Sequence, residues 1–256
     1  MLRKYIAKLI FLFFISHNLF ANTTDYEKAH KLIDAYPNHL LAYKDNYIIW
    51  KNKEKILFDD LKEKNSYKEL LNNASLKNQL HIEYIKVTHK EHHKPLKNED
   101  PGRVRNEEFF RKMYGATKDK IKKNLVQIKW MPKTTNKTLY VTTVNNVHKK
   151  LQNISKELDQ LPKKLKKFVH QPAGTYKYRK IAGTNRLSMH SFGMAIDINI
   201  KKSHYWKWDK NRNKFEYKNL IPMKIVKIFE KYGFIWGGRW YHYDTMHFEY
   251  RPELLN

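Results

Sequence analysis

RLSMHSFGMAIDINI, residues 186–200, and WYHYDTMHFEY, residues 240–250, decide how this chain is read. In AIDINI, residues 195–200, strand alternation puts Ala195, Asp197 and Asn199 on one face and three isoleucines on the other. The isoleucines then face a core while Asp197 faces a cleft. In MHFEY, residues 246–250, Met246, Phe248 and Tyr250 share one face, and His247 shares the other with Glu249. Two neighbouring strands of this kind bring Asp197 and His247 together. His190 lies seven positions before Asp197, an odd offset that sends it to the opposite face of a straight strand. The chain must therefore bend between them, and Gly193 suits the bend.

Two histidines and one carboxylate make a ligand set for zinc. With three protein ligands, zinc keeps a fourth position for water, which separates a catalytic site from a closed structural one. Such an ion lowers the pKa of that water towards about 7 and polarises a substrate carbonyl. Gly193 leaves room beside it. Asp244 precedes His247 by three residues, with Thr245 permitting a turn, and is the candidate general base. A carboxylate there takes the water proton and passes it to a leaving amine. Glu249 either orients His247 or competes with Asp244 as base, and His242 stands near the cleft. Ser188 has no Gly-x-Ser-x-Gly around it, so a hydrogen bond within its loop suits it better than nucleophilic attack. The competing reading is a pair of buried strands whose Asp and His only satisfy hydrogen bonds, since Asp-x-x-His is common by chance.

The chain has 256 residues, 41% of them hydrophobic, which suits one domain or one domain with a small extension. It has no cysteine, so disulfides and thiolate metal sites are excluded. Lys and Arg total 51 against 25 Asp and Glu, a formal net charge of +26. That balance raises nucleic acid or an anionic envelope polymer as partner. The lysines are spread along nearly the whole length among Asp and Glu, which describes a solvated basic surface. Arg3, Lys4 and Lys8 precede the apolar run LIFLFFI at 9–15, and Ala21 follows. A basic start, a short apolar core and a small residue predict a signal peptide over residues 1–21. The run is shorter than the roughly 20 residues of a membrane span. Leu19 is a mediocre residue at the minus-three position, which leaves an uncleaved anchor as the alternative. An exported chain argues against a nucleic-acid partner, and no stable membrane span is expected after cleavage.

Along the chain, residues 25–43 are predicted helical around Pro37. NYIIW and KILFDD flank a polar turn and predict a β-hairpin. SYKELLNNASLKNQL is predicted helical and HIEYIKV a strand. HKEHHKPLKNEDPG, residues 89–102, reads as a loop, and its His89, His92 and His93 do not form His-Glu-x-x-His. NEEFFRKMYG predicts a helix ending at Gly115, and LVQIKWMP and TLYVTTV predict strands. Val147, Leu151, Ile154, Leu158 and Leu161 lie on one helix face that Pro162 ends. Pro222 opens another helix, with Gly233 at its C-terminal cap. Trp236, Gly237, Gly238 and Trp240 are expected to shape the cleft, and His204, Trp206 and Trp208 to form one of its walls or a pinned loop. Elements alternate irregularly, which favours α+β.

Ser188-x-His190-x-x-Gly193-x-Ala195-x-Asp197, followed by Asp244-x-x-His247-Phe248-Glu249, resembles the zinc D-alanyl-D-alanine carboxypeptidases, VanY-like and VanX-like enzymes, and L-alanyl-D-glutamate endopeptidases. The Asp at the base position is closer to the endopeptidase type of phage endolysins. The resemblance covers about residues 125–252. It implies one zinc ion held by His190, Asp197 and His247, with Asp244 as base. It also implies an upstream arginine that binds a carboxylate or the oxyanion. Arg179 in GTYKYRKIAGTNR matches, with Arg186 as competitor, because a strand-like TYKYR projects Lys177 and Arg179 together and a guanidinium offers a fork of donors. The implied fold is α+β: a small antiparallel sheet carrying a zinc cleft, flanked by helices (LAS-type, Hedgehog-like), over residues 101–256. A mostly helical extension over 22–100 packs on it. The implied function is hydrolysis of peptide bonds in peptidoglycan stem peptides in the periplasm or cell envelope. The alternative is an inactive peptidoglycan-binding protein on the same scaffold. Nothing in the pattern specifies an oligomeric state.

Overall fold

Pro37 settles how the ordered chain begins. In the computed structural model, which describes residues 24–86, 95–210 and 215–255, helix α1 covers residues 24–35. Leu40 and Leu41 lie beyond the proline in strand β1 (Leu40–Lys44), not in the predicted helix. Asp45 and Asn46 take positive φ and make a two-residue turn into β2 (Tyr47–Trp50). β3 (Lys55–Leu57) pairs with β2 as the predicted hairpin, giving a three-stranded sheet. The predicted helix at 66–80 is two short ones, α2 (Tyr67–Asn72) and α3 (Leu76–Gln79). Ser66 and Ser75 cap them by accepting from Glu69 N–H and Asn78 N–H. This N-terminal region is thus mixed, and the expectation of a mostly helical extension is corrected: alternating Ile48 and Trp50 build a sheet there.

No strand forms at residues 81–86, against the expectation for HIEYIKV. Tyr84 is instead buried: its hydroxyl donates to Glu230 (2.6 Å) and accepts from the Trp236 amide (2.9 Å). The apolar run at 9–15 and the histidines at 89, 92 and 93 lie outside the described residues. Among the described residues no helix is long and apolar enough to cross a membrane.

Asn106 caps α4 (Glu107–Tyr114), which stops at Gly115 as the sequence suggests. α5 (Lys118–Lys123) leads into the antiparallel pair β4 (Leu125–Trp130) and β5 (Lys137–Thr142). α6 (Val147–Asp159) buries Val147, Leu151, Ile154 and Leu158 against that pair and is followed by the single turn α7 (Lys163–Lys166). A last sheet has the order β6 (Ala195–Asp197), β8 (His247–Tyr250), β7 (Phe234–Trp236), with β8 central and both neighbours antiparallel to it. α8 (Met223–Lys231) backs this sheet; Phe229 stacks on Phe248 at 3.9 Å between centroids. Gly233 follows α8 with φ of 89°, a conformation that favours glycine. Ile196 and Ile198 are buried, whereas Ile200 is exposed because the chain leaves the strand for a 3₁₀ turn at Ile200–Lys202. One core cluster runs from Ala29 to Tyr250 and so includes side chains of both chain halves.

A buried ionic chain ties the halves together. Arg251 donates to Glu249 (3.1 Å) and to Glu253 (2.6 Å), while Tyr36 (2.7 Å) and Gln79 (3.0 Å) donate to Glu253. Replacing Arg251 strands two buried carboxylates, which costs far more than the intact pair contributes. Arg251→Met is expected to lower unfolding stability by about 3–5 kcal/mol in denaturant titration. A loss below about 1 kcal/mol, the usual value of an exposed pair, would contradict this description.

Candidate metal centre

Antiparallel pairing of β6 and β8 sets Asp197 directly opposite His247. Before β6 the chain makes a 3₁₀ turn, Met189–Phe192, and then bends at Gly193, whose φ is 68°. This bend returns His190 to the Asp197 side. The room that Gly193 leaves is taken by Leu125 and Thr142: an added Cβ would sit 2.5 Å from Leu125 Cδ2 and 3.2 Å from Thr142 N. Its smallness therefore serves the packing of β4 and β5, a correction to the expectation that it clears space beside a metal.

Three atoms converge. His190 Nε2 is 3.2 Å from His247 Nδ1 and 3.1 Å from Asp197 Oδ1, and His247 Nδ1 is 3.0 Å from Asp197 Oδ1. Both histidines are buried, and the Asp197 side chain is a quarter exposed. The far nitrogen of each ring is engaged. His190 Nδ1 lies 2.7 Å from the Thr175 carbonyl, which can only accept. His247 Nε2 lies 2.8 Å from Glu249 Oε2. These partners put the ring protons on the far nitrogens and leave His190 Nε2 and His247 Nδ1 as lone pairs. Two lone pairs and a carboxylate oxygen then meet with no donor among them, an arrangement that calls for a cation. The spacing fits: two ligands at a tetrahedral angle on a zinc ion, each about 2.0–2.1 Å away, stand about 3.3 Å apart. Without such an ion a proton fills the gap. Against burial, which lowers it, the hydrogen bonds to Asp197 and Glu249 raise His247 to about 10. Burial is likewise outweighed at Asp197, which His190 and His247 hold well below the usual carboxylate range.

Glu249 orients His247. Burial opposes its charge, yet His247, Arg251 and Arg105 hold it ionised at about 2. Both of its oxygens are engaged, Oε2 by His247 and Oε1 by Arg251.

Asp244 sits on the loop from Gly237, which lets the Asp244 backbone approach closely: an added Cβ would lie 2.7 Å from the Asp244 carbonyl. Its Oδ1 is buried without a hydrogen-bond partner and lines the same cleft as the three ligand-type residues. Burial and then the Asp197 carboxylate push Asp244 up to about 6. Arg179 is exposed and also lines the cleft. No regular strand carries it; the Ser191 hydroxyl accepts from its amide (2.9 Å), and its carbonyl accepts from the Ser188 amide (3.0 Å). Arg186 is not part of this cleft, and its Nη1 donates to the Arg103 carbonyl (3.0 Å).

Arg103, Arg105, Asp100 and Tyr205 escaped the sequence reading. Asp100 is fully buried and accepts from the His242 amide (2.8 Å), with the His242 ring at 2.6 Å and the Tyr67 hydroxyl hydrogen-bonded to it. His242 therefore braces the loop and does not line the cleft. The only available signal was the Asp-Pro-Gly-Arg turn at 100–103, which reads as solvent-facing. Its Gly102 packs under Trp240, where an added Cβ would lie 2.2 Å from the indole.

Two outcomes follow from the ligand geometry. Glu249→Gln, which keeps shape but loses charge, should weaken zinc affinity about 10–100-fold in competition titration, and unchanged affinity would deny Glu249 its orienting part. Zinc uptake at pH 7 should also expel the proton held at His247, so affinity rises with pH up to about 10. Calorimetry in buffers of different ionisation enthalpy reads that release, and its absence would contradict the protonated resting cluster.

Residues 182–250 match a family model described as D-alanyl-D-alanine carboxypeptidase. The matched span holds His190, Asp197, Asp244 and His247, and stops short of Arg179 and Arg103. No curated protein and no solved structure matches the chain. The match covers well under half of the chain and spans both motifs.

Proposed function

We propose that this protein is an exported zinc metallopeptidase that hydrolyses peptide bonds in peptidoglycan stem peptides. The observation that carries the reading is the convergence of His190 Nε2, Asp197 Oδ1 and His247 Nδ1 beside Asp244 Oδ1, which is buried without a hydrogen-bond partner. A zinc ion held by those three atoms would polarise the scissile carbonyl and acidify a water bound to it. The remaining work falls to side chains. Asp244, raised towards neutrality, accepts a proton from the attacking water and delivers it to the departing amine as the C–N bond breaks. Glu249 and the Thr175 carbonyl fix the two imidazole rings. Arg179, with no guanidinium hydrogen bond among the described residues, is free to meet a substrate oxygen. The family match supports a peptide substrate of the cell wall, and the basic composition suits retention at an anionic envelope. Export rests on the basic-apolar-small pattern of residues 1–21. An inactive wall binder has less support, because neither the base nor any of the three ligand-type residues is replaced.

Purified protein supplied with zinc should release peptides or amino acids from peptidoglycan, read by mass spectrometry, and a chelator should stop it. Release unaffected by chelator would overturn the metal mechanism. Asp244→Ala should lower kcat about 10²–10⁴-fold while zinc content stays unchanged; retained turnover would remove Asp244 from the proton path.

A further inference from the structure

The lysines of this chain are spread along it, but the carboxylates that would answer them are not. Of the 51 Lys and Arg, 20 lie between Lys120 and Trp208; of the 25 Asp and Glu, only Glu157, Asp159 and Asp197 do. The fold commits all three. Glu157 is held by Lys231 (2.7 Å) and by the Tyr232 hydroxyl. Asp159 is buried and accepts from the Lys133 amide (2.7 Å) and the Thr134 hydroxyl, with Lys166 Nζ 3.8 Å away. Asp197 belongs to the metal centre. The positive charge of this segment is therefore not neutralised locally.

It gathers beside the metal centre. α7 exposes Lys163 and Lys164, and Lys167 is exposed just beyond it. Asn199 joins this turn to the strand that carries Asp197. Its side-chain amide donates to the Lys167 carbonyl (2.8 Å) and its backbone amide to the Phe168 carbonyl (3.2 Å). The 3₁₀ turn Ile200–Lys202 starts at the next residue, with Lys201 and Lys202 exposed on it. Two adjoining turns thus present five lysines, and none of the five is in an ion pair among the described residues. Positive charges set close together repel, and a polyanion lying across them relieves that repulsion and sheds its own counterions.

The make-up of the surface selects the kind of anion. All five cations are lysines, which meet phosphate as point charges, without the planar fork by which arginine grips one group. That suits a repeating charge better than a single phosphate. Leu165 and Phe168 pack on the core, which leaves Ile200 as the large apolar side chain exposed on these two turns. Lying on a membrane takes an apolar face beside the charge, and one isoleucine does not make one. We infer that the surface of Lys163, Lys164, Lys167, Lys201 and Lys202 docks a flexible, phosphodiester-linked polyanion of the cell envelope. Asn199, which joins the two turns, stands two residues from Asp197. With the peptidase reading above, on which this step rests, docking there brings the metal centre to stretches of wall that carry such a polymer.

The test uses the full chain, loaded with zinc, and three probes at equal phosphate concentration: poly(glycerol phosphate), duplex DNA and phosphatidylglycerol vesicles. Poly(glycerol phosphate) should bind most tightly, with an affinity that falls as salt rises. Lys163→Gln, Lys164→Gln, Lys167→Gln, Lys201→Gln and Lys202→Gln together should weaken it at least about tenfold at fixed salt and lower the salt slope by about 2–4. A control variant changes five other exposed lysines to Gln, at Lys44, Lys51, Lys55, Lys62 and Lys68, and so has the same net charge. It should lose less than about threefold, because charge far from the docked chain is screened. Equal losses in the two variants would overturn the inference, since overall charge would then do the binding. Absence of binding by the parent, or tighter binding to DNA or to the vesicles, would overturn it as well. Thermal melting checks that each variant folds. If the five-lysine variant does not, Lys163→Gln, Lys164→Gln and Lys167→Gln carry the test against the matched control at Lys44, Lys51 and Lys55. Peptide release is read separately, from peptidoglycan with its phosphodiester polymer retained or stripped. The parent should release peptides faster from the polymer-bearing wall, and the five-lysine variant at one rate from both. A parent indifferent to the polymer would overturn the directing step. Binding through this surface with no release from either wall would overturn the peptidase reading alone.

Discussion

Three ligand-type atoms brought within about 3 Å of one another, with one positive charge needed among them, are the constraint on which the rest depends. Neutral lone pairs at His190 Nε2 and His247 Nδ1, with an ionised Asp197 oxygen about 3 Å from both, repel unless something positive lies between. The protein maintains the arrangement by committing the opposite nitrogen of each ring. Thr175 holds one proton with a backbone carbonyl, and Glu249 holds the other with a buried carboxylate. A proton or a divalent ion can occupy the centre, and the two compete.

Glu249 carries this constraint outward into the fold. It is pinned by Arg251, Arg251 by Glu253, and Glu253 by Tyr36 and Gln79 from the N-terminal region. The orientation of one imidazole is thereby linked to packing far along the chain. A buried ionic chain of this kind is not by itself a large source of stability, because desolvation offsets most of the attraction. Its role is positional. On the other side of the cleft Asp100 does the same for the loop that carries Asp244: it accepts from the His242 amide and takes up the His242 ring. Glu99, its neighbour, accepts from the Tyr241 amide. The N-terminal half thus supplies braces for both walls of the cleft, whether or not it constitutes a unit of its own.

What the sequence revealed, and what it hid, follows from the range of the interactions. Alternation along β6 and β8 is local, so the facing of Asp197 and His247 could be read before any coordinates, as could the bend at Gly193. The apolar faces of α6 and α8, each bounded by a proline or a glycine, were equally legible. The loop at 95–105 was not. Asp100, Pro101 and Gly102 have the composition of a solvated turn, and only packing with the distant Trp240 and His242 shows why Asp100 and Gly102 are buried. Leu40 and Leu41 were misread as helical because apolar spacing over so few residues fits either period, and sheet pairing with β2 decided it. Arg179 was reachable only through the family resemblance, since nothing local distinguishes it from an exposed arginine.

The most direct measurement of the central claim is anomalous diffraction at the zinc edge from crystals of the zinc-loaded protein. A single strong peak about 2.0–2.2 Å from His190 Nε2, His247 Nδ1 and an Asp197 oxygen, with Asp244 outside coordinating reach, is the result predicted. Zinc bound elsewhere, or a cluster that keeps its close contacts with no peak between them, would contradict it.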